Sequence, residues 1–527
     1  MGRSIFRLLT ETYRAICVFT VVAFLLAGVM FSVIFPPFQV ADEDSHWITA
    51  LRLTEQVLAI AGLREPVECS AGVALAHSID INRLRSGPSV KVAPDDLRKA
   101  RDAKPTCAAP HQFVARSNIL SYAGMLPARV IVRNEINDVS RAILVLYLAR
   151  IFQGFIVVLL MTRFLFLMIK NRETLLFGSL SLFLFCLAPI FVNQSFGVTY
   201  DSAVLAFVLS AGGLLLFRGL SSRLDLMIFT VCGIGACSAK PVLLPLGLAA
   251  LLSLFIMQRF SPVSSEDSRV DSNDTDGAEG TEVLEPRGYG PLALILSATL
   301  IIAVSLFIAI QDVGHVNNQH PPTGVDPSYN KDFLLEDWGR AFRIVWQSVT
   351  PYLHLGYMAT PLGLTNVSIS SENIDTWRQL LLFGLTLDLL LIFACSVYKG
   401  KLLGYRRFFQ GLGVSLLASL VLLLSLFAFL MLTGIGMYVL WTPKDNLGVG
   451  GLQNRYFLPF FLYLYIAAQL AVGGGIGFLK PRVLLMQDQG KRVWLDLSPW
   501  LISGLFFTVC LLPFVVAVGL DVLMRFY

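Results

Sequence analysis

The composition of this chain excludes a soluble globular protein of ordinary make-up. Of its 527 residues, 55% are hydrophobic and only 15% are charged, and the mean hydropathy is +0.68. Soluble domains carry about 25% charged residues, so most of the surface of this protein faces a solvent other than water. The net charge of +5 is explained by basic residues in short loops and does not indicate a nucleic-acid partner.

Long apolar runs predict about eleven transmembrane helices, because about 20 apolar residues cross a hydrocarbon core about 30 Å thick. In chain order the predicted windows are 15–35, 142–168, 175–192, 198–217, 225–239, 242–257, 290–310, 380–397, 412–437, 456–474 and 500–520. The first window is too long for the core of a signal peptide and is followed by Pro36 and Pro37, so we expect it to be retained.

Basic residues in the short loops predict a cytoplasmic N-terminus. This topology places two large loops outside, at about 36–141 and 312–377. The segment 258–288 is rich in Ser, Asp, Glu and Gly, and it predicts a disordered cytoplasmic loop. That loop separates an N-terminal module, 1–257, from a C-terminal module, 289–527.

Both outer loops carry patterns typical of folded segments. The stretch 46–60 predicts an amphipathic helix along the membrane surface, and 94–104 predicts a charged helix. In 335–349, aromatic residues recur at a spacing of four, which suits the bilayer interface. Cys69 and Cys107 both lie in the first outer loop, where a disulfide and two free thiols remain equally open.

Ionisable residues near the spans gather at their predicted outer ends and not in pairs at mid-span. They are Asp42, Glu43 and His46 after the first window, Arg150 inside the second, Asp201, Lys240 and Arg455. Such residues are costly near lipid, so their placement indicates function. If the helices bundle, these ends converge on one cavity that faces outward. The sequence contains no P-loop, GxSxG, HExxH or paired CxxC motif, which are the usual signs of ATP-driven transport and metal-dependent hydrolysis.

Each of these residues also has an ordinary structural interpretation. Because Pro36-Pro37 ends the first helix, Asp42 and Glu43 sit on a fixed turn, where a carboxylate suits a general base. An aspartate in this position is equally suited to cap the next helix. Lys240 and Arg455 suit either snorkelling or the binding of a phosphate, and Asp201 suits a helix cap or the same cavity. The sequence shows no adjacent partner for Lys240 or Arg150.

The motif PPFQVADEDSH at 36–46 closely resembles the PPFQ-x-x-DE-x-x-H signature of the bacterial domain-of-unknown-function family 2142. Further matches, in the same order, are Arg150, Pro189, Asp201, Lys240-Pro241 and QNRYFLP at 453–459, which contains Tyr456. The chain departs from the family pattern at Asn454, where Gly is usual, and at Ala41 and Asp44, where Pro is frequent.

That family resembles the GT-C glycosyltransferases. The resemblance implies an all-α, multi-span bundle in the bacterial inner membrane, with an acidic catalytic residue in the first outer loop. It also implies a polyprenyl-phosphate-linked sugar donor and a cell-surface glycan or lipid acceptor. On this basis Asp42 or Glu43 is the base, alone or with a divalent metal. The residues expected to bind substrate are His46, Arg150, Asp201, Lys240, Arg455 and Tyr456.

Functions from other classes remain open. A transporter or flippase of lipid-linked saccharides is expected to have internal symmetry and charges near the membrane midplane, and only Arg150 comes close. A polymerase or ligase of such saccharides shares the outward-facing arginines of the leading hypothesis.

Overall fold

The computed structural model describes residues 2–38, 43–63, 69–78, 106–107, 118–132, 138–170, 179–216, 222–260, 289–316, 324–353, 369–403, 405–477 and 498–526. In the first half the helices are α1 (Gly2–Ile34), α2 (Glu43–Ile60), α3 (Ala71–Ser78), α4 (Met125–Ile131), α5 (Val139–Lys170), α6 (Ser179–Cys186), α7 (Pro189–Ser195), α8 (Asp201–Leu216), α9 (Arg223–Ala239) and α10 (Leu244–Arg259). They continue with α11 (Pro291–Val316), α12 (Pro327–Glu336), α13 (Trp338–Val349), α14 (Ser371–Leu403), α15 (Tyr405–Trp441), α16 (Leu458–Gly477), α17 (Ser498–Phe506) and α18 (Leu512–Phe526).

The prediction of an all-α class is confirmed for the part of the chain that the structure describes. Its only strands are the two-residue pair β1 (Cys69–Ser70) and β2 (Thr106–Cys107). Short 3₁₀ turns at Ile119–Tyr122, Pro241–Leu243, Thr350–Leu353 and Asn454–Phe457 connect helices, and a π-helical stretch, Phe507–Leu511, joins α17 to α18. The predicted helix at 94–104 and most of the predicted cytoplasmic loop lie outside the described residues.

Six of the described helices are long and apolar enough to cross a membrane. They are Glu11–Ile34, Val139–Leu167, Pro241–Arg259, Pro291–Ile308, Gly411–Trp441 and Pro499–Met524. Each coincides with a predicted window. The other five windows fall on α6 with α7, on α8, on α9, on α14 and on α16, so the number of eleven spans is not confirmed.

The predicted third span is interrupted between α6 and α7. Pro189 has no backbone N–H and restricts the residue before it, and Ala188 accordingly leaves the helical region with φ −52° and ψ 131°. Leu187 and Ala188 are buried, and their N–H groups bond to carbonyls of α6. A break in a membrane helix is tolerated where protein covers it. The result is a short buried helix, α7, that ends in Asn193, Gln194 and Ser195.

One hydrophobic core unites the bundle and draws on helices from both sides of the 258–288 loop. Helix α1 packs against α5, α17 and α18, while α10 and α16 both pack against α15. The Phe196 ring lies between α1 and α5, because a Cβ at Gly28 or at Gly154 would overlap it. This close packing fixes the loop from Phe196 to Tyr200, which leads into α8.

The bundle has two distinct ends. At the Glu43 end, Glu43 contacts Arg150 and Val198, and Asn330 of α12 bonds to carbonyls at the end of α15. At the opposite end, Thr12 of α1 accepts a hydrogen bond from Ser503. The described parts of both predicted outer loops lie at the Glu43 end, as the topology requires. The side of the membrane that this end faces stays a prediction.

The first loop has a small hydrophobic core of its own, built from α2, α3, α4 and the first turns of α5. Trp47, Leu51 and Leu58 of α2 are all buried in the protein. The apolar face that we expected to lie on the membrane surface therefore packs inside the molecule. In the second loop, α13 buries Ile344 and Val345 and leaves an aromatic row exposed, namely Trp338, Phe342 and Trp346.

Strands β1 and β2 pair antiparallel with Cys69 directly opposite Cys107. Facing Cα atoms of such a pair are about 4.5–5.5 Å apart, within the range that a disulfide spans. We therefore predict a disulfide between them once the loop meets an oxidising compartment. Alkylation of intact membranes followed by mass spectrometry is expected to label both residues only after reduction. Labelling of Cys107 before reduction in the wild type contradicts the bond, and Cys69→Ser provides the positive control.

Candidate functional site

Glu43 and Arg150 form a fully buried ion pair beside the end of α1. Arg150 Nε donates to Glu43 Oε1 at 2.8 Å and Arg150 Nη2 donates to Glu43 Oε2 at 2.5 Å. Both side chains have 0% exposure. The carboxylate also accepts the backbone N–H groups of Phe38 and Val198, each at 3.2 Å. A planar guanidinium that meets a carboxylate through two parallel bonds holds both groups in a fixed geometry.

Arg150 also completes the end of α1. The last carbonyls of a helix have no partner within it, and Pro36-Pro37 prevents α1 from continuing. Arg150 donates to the carbonyls of Ser32, Phe35 and Pro36 at 3.1, 2.6 and 2.9 Å. With the two bonds to Glu43, all five of its N–H groups are used. Arg150 thus locks α1, α2 and α5 together.

The turn that follows Pro37 is strained. Phe38 has a φ of 61°, in the left-handed region that bulky residues rarely adopt. Its ring is buried against Trp47, with centroids 6.3 Å apart, and its N–H bonds to Glu43. Strain of this kind persists only where the surroundings hold it, and it is typical of functional sites.

Glu43 is a poor candidate for a metal ligand or a free base in this state. Its two oxygens already accept four hydrogen bonds, which fill the capacity of a carboxylate. No group of three or more His, Cys, Asp or Glu side chains suited to a metal occurs among the described residues. Asp42, the other predicted base, lies outside those residues.

Lys240, Asp201 and Arg455 form a second charged group, which we call the basic cluster. Lys240 Nζ lies 2.5 Å from Asp201 Oδ1, and Arg455 Nη1 lies 3.5 Å from Asp201 Oδ2. Their side chains are 14%, 5% and 3% exposed, respectively. Two cations share the Asp201 carboxylate, and these three side chains carry a formal net charge of +1.

Local chain breaks position the members of the basic cluster. Pro241 forces Lys240 out of the helical region, so that Lys240 lies at the corner between α9 and α10. Arg455 lies on the 3₁₀ turn that leads into α16, and Asp201 is the first residue of α8. Each residue is thus at a helix end and not in a span interior.

Aromatic rings connect the basic cluster to the first turn of α2. Lys240 Nζ lies 4.8 Å from the ring centroids of both Tyr200 and Tyr456, which is the geometry of cation–π contacts. The Tyr200 ring meets the His46 ring edge-on, with centroids 4.4 Å apart. His46 Nδ1 lies 2.6 Å from the Tyr122 hydroxyl, within hydrogen-bonding distance. Because His46 lies in the first turn of α2, the start of α2 and the basic cluster adjoin.

The structure brings together all the predicted site residues that it describes. Arg150, which has no apparent partner in sequence, pairs with Glu43, and Lys240 likewise pairs with Asp201. Asp201 is the first residue of α8, and its carboxylate pairs with Lys240 and Arg455. These contacts define two linked units, the Glu43–Arg150 ion pair beside the end of α1 and the basic cluster next to it.

Other buried charges were not predicted from the sequence. Glu55 pairs with Arg129 within the first loop, and Arg163 pairs with Asp225 near the opposite end through two bonds of 2.8 Å. Asp388 is buried in α14 among hydroxyl groups. The signal for Asp388 is its position as the single acidic residue in the window 380–397.

The fold and these contacts define a polytopic helical membrane protein with a charged site at one end of its bundle. Residues 25–464 match the family of predicted membrane proteins named DUF2142. The match covers well over half of the chain, and the chain therefore belongs to that family. No curated protein and no solved structure shows significant similarity to the chain.

Proposed function

We propose that this protein is a membrane glycosyltransferase that moves a sugar from a polyprenyl-phosphate-linked donor to a glycan or lipid acceptor. In this proposal the Glu43 end faces outward from the inner membrane. The observation that carries the proposal is the basic cluster, in which Lys240 and Arg455 meet on Asp201 beside two tyrosine rings. A lipid phosphate lies at the ends of membrane helices, and the cluster lies at such an end.

The charge of the basic cluster supports a phosphodiester ligand. The cluster brings two cationic side chains together, and a sugar-phosphate-lipid link carries a negative charge. Arg455 has a planar guanidinium group and Lys240 a compact ammonium group, and this combination is suited to binding phosphate. As the link breaks, a second negative charge develops on the phosphate, and fixed cations stabilise that charge at low dielectric.

The reaction assigns different roles to the two acidic residues. Asp42 takes the proton of the acceptor hydroxyl, whose oxygen forms a bond to the anomeric carbon with inversion. The bond from that carbon to the phosphate oxygen breaks, and its electron pair leaves with the lipid phosphate. Glu43, the next residue in sequence, is a positioning residue, because Arg150 holds both of its oxygens beside the end of α1.

The proposal is tested in a deletion strain complemented with wild-type, Asp42→Asn or Lys240→Gln protein. Mass spectrometry of the surface glycans is expected to show that one sugar is lost in the deletion strain and in both variants, at unchanged levels of inserted protein. Lys444→Gln is the matched control, since Lys444 also lies over a tyrosine ring, that of Tyr329, at 4.3 Å. A wild-type glycan profile in both variants refutes the assigned roles.

A second candidate function, the transport of lipid-linked saccharides, is favoured by the break between α6 and α7. Transporters place discontinuous helices at their substrate sites. The deletion strain distinguishes transfer from transport. Transfer predicts that the sugar-phosphate lipid accumulates on the outer leaflet of the deletion strain, whereas transport predicts accumulation on the inner leaflet.

A further inference from the structure

A run of buried polar side chains adjoins the basic cluster. Asn193, Gln194 and Ser195 form the end of α7, and Thr199 lies in the loop that follows. All four are at most 2% exposed. Within the described part of the chain, Asn193 Nδ2, Gln194 Oε1, Ser195 Oγ and Thr199 Oγ1 have no hydrogen-bond partner.

Buried hydroxyls elsewhere in this bundle are satisfied by their own helix. Thr20, Ser32 and Thr230 each donate to the carbonyl four residues earlier, at 2.8 Å. Ser195 lacks this bond although the carbonyl of Phe191 stands in the corresponding position. Unpartnered buried polar groups are costly and rare, and four in seven consecutive residues require a partner of another kind.

The polar run lies between the two charged units of the site. Val198 donates its N–H to Glu43 on one side. On the other side, Asp201 follows two residues after Thr199 and binds Lys240 and Arg455. Helix α7 also packs beside the 3₁₀ turn that carries Arg455. A ligand bound at the basic cluster therefore has these polar groups as its neighbours.

The chemistry of the polar run suits a polyhydroxylated ligand. The four groups are uncharged and offer both donors and acceptors, and each hydroxyl of a sugar likewise donates and accepts. A phosphodiester only accepts hydrogen bonds and therefore cannot donate one to the Gln194 oxygen. A prenyl chain makes no hydrogen bonds at all. We propose that Asn193, Gln194, Ser195 and Thr199 form the subsite for the sugar whose linking phosphate binds Lys240 and Arg455, an inference that rests on the proposed function.

The test uses full-length protein in nanodiscs and the isosteric variants Ser195→Ala and Thr199→Val. The probes are polyprenyl phosphate and a panel of polyprenyl-phosphoryl glucose, galactose, mannose and arabinose, with Kd measured for each. The best sugar-bearing probe is expected to bind about two- to tenfold more weakly to each variant, since one neutral hydrogen bond is lost. Binding of bare polyprenyl phosphate is expected to stay unchanged. The unliganded variants are expected to melt at the wild-type temperature or above it, because an unpartnered hydroxyl is removed.

Thr230→Val is the matched control, because its hydroxyl is satisfied within α9 and lies outside the polar run. Unchanged Kd values for every sugar probe in both variants overturn the subsite and leave ordered water as the partner of the hydroxyls. A marked loss of stability in the unliganded variants also overturns it, since the hydroxyls then serve the fold. If wild-type protein binds neither polyprenyl phosphate nor any sugar probe, the proposed function itself fails.

Discussion

Replacement of Arg150 with Met is expected to destabilise the folded protein by about 3–5 kcal/mol, because it leaves the Glu43 carboxylate buried without a counter-charge. The substitution also removes the donors to three carbonyls at the end of α1. The expected result is a large fall in the apparent unfolding temperature of the detergent-solubilised protein. Arg150→Lys is expected to recover only part of the loss, since an ammonium group cannot replace five fixed donors.

The double variant Glu43→Leu with Arg150→Met distinguishes a structural pair from a catalytic one. Removal of both charges together is expected to cost less than removal of Arg150 alone, because no unpaired charge stays buried. Arg378→Met is the control. Arg378 pairs with Asp375 at 2.9 Å, and the two side chains are 46% and 60% exposed, so the expected loss is small. Wild-type stability of Arg150→Met contradicts the supporting role.

Replacement of Asp388 with Ala is expected to cost about 3 kcal/mol or more, since each buried donor left unpaired costs about 1–3 kcal/mol. Asp388 accepts from the Tyr13 hydroxyl at 2.7 Å, from the Ser181 N–H at 3.1 Å and from the Tyr465 hydroxyl at 3.2 Å. The Ser181 hydroxyl donates to it as well. These contacts join α1, α6, α14 and α16 through one carboxylate.

Asp388→Asn separates the geometry of this contact from its charge. The amide keeps one acceptor oxygen and the hydroxyls can rotate, so Asp388→Asn is expected to lose much less stability than Asp388→Ala. Thermal unfolding of the solubilised variants measures both effects. Asp375→Ala on the same helix is the control, because Asp375 is 60% exposed and pairs with Arg378. Equal losses for Asp388→Asn and Asp388→Ala contradict the hydrogen-bonding account and show that the charge is required.

Some features of the site follow from local sequence rules. Pro36-Pro37 ends α1 and Pro241 places Lys240 at a helix corner, as the restricted backbone of proline requires. The position of charged residues at helix ends was therefore predictable. The break before Pro189 was also within reach of the same rule, but the apolar composition of 175–192 favoured one continuous span.

The sequence by itself determined the helical membrane class, the six windows that coincide with membrane-spanning helices, and the charged residues at the start of α2 and at other helix ends. These features depend on hydrophobicity and backbone restriction, which act locally along the chain. Only the tertiary structure decided which charges pair. Glu43 and Arg150 are 107 residues apart in the sequence, and Lys240 and Asp201 are 39 residues apart. Local sequence patterns do not indicate which residues make contact over such separations. The pairing gives the Glu43 oxygens four hydrogen bonds, which is the reason why the proposed mechanism uses Glu43 as a support and Asp42 as the base.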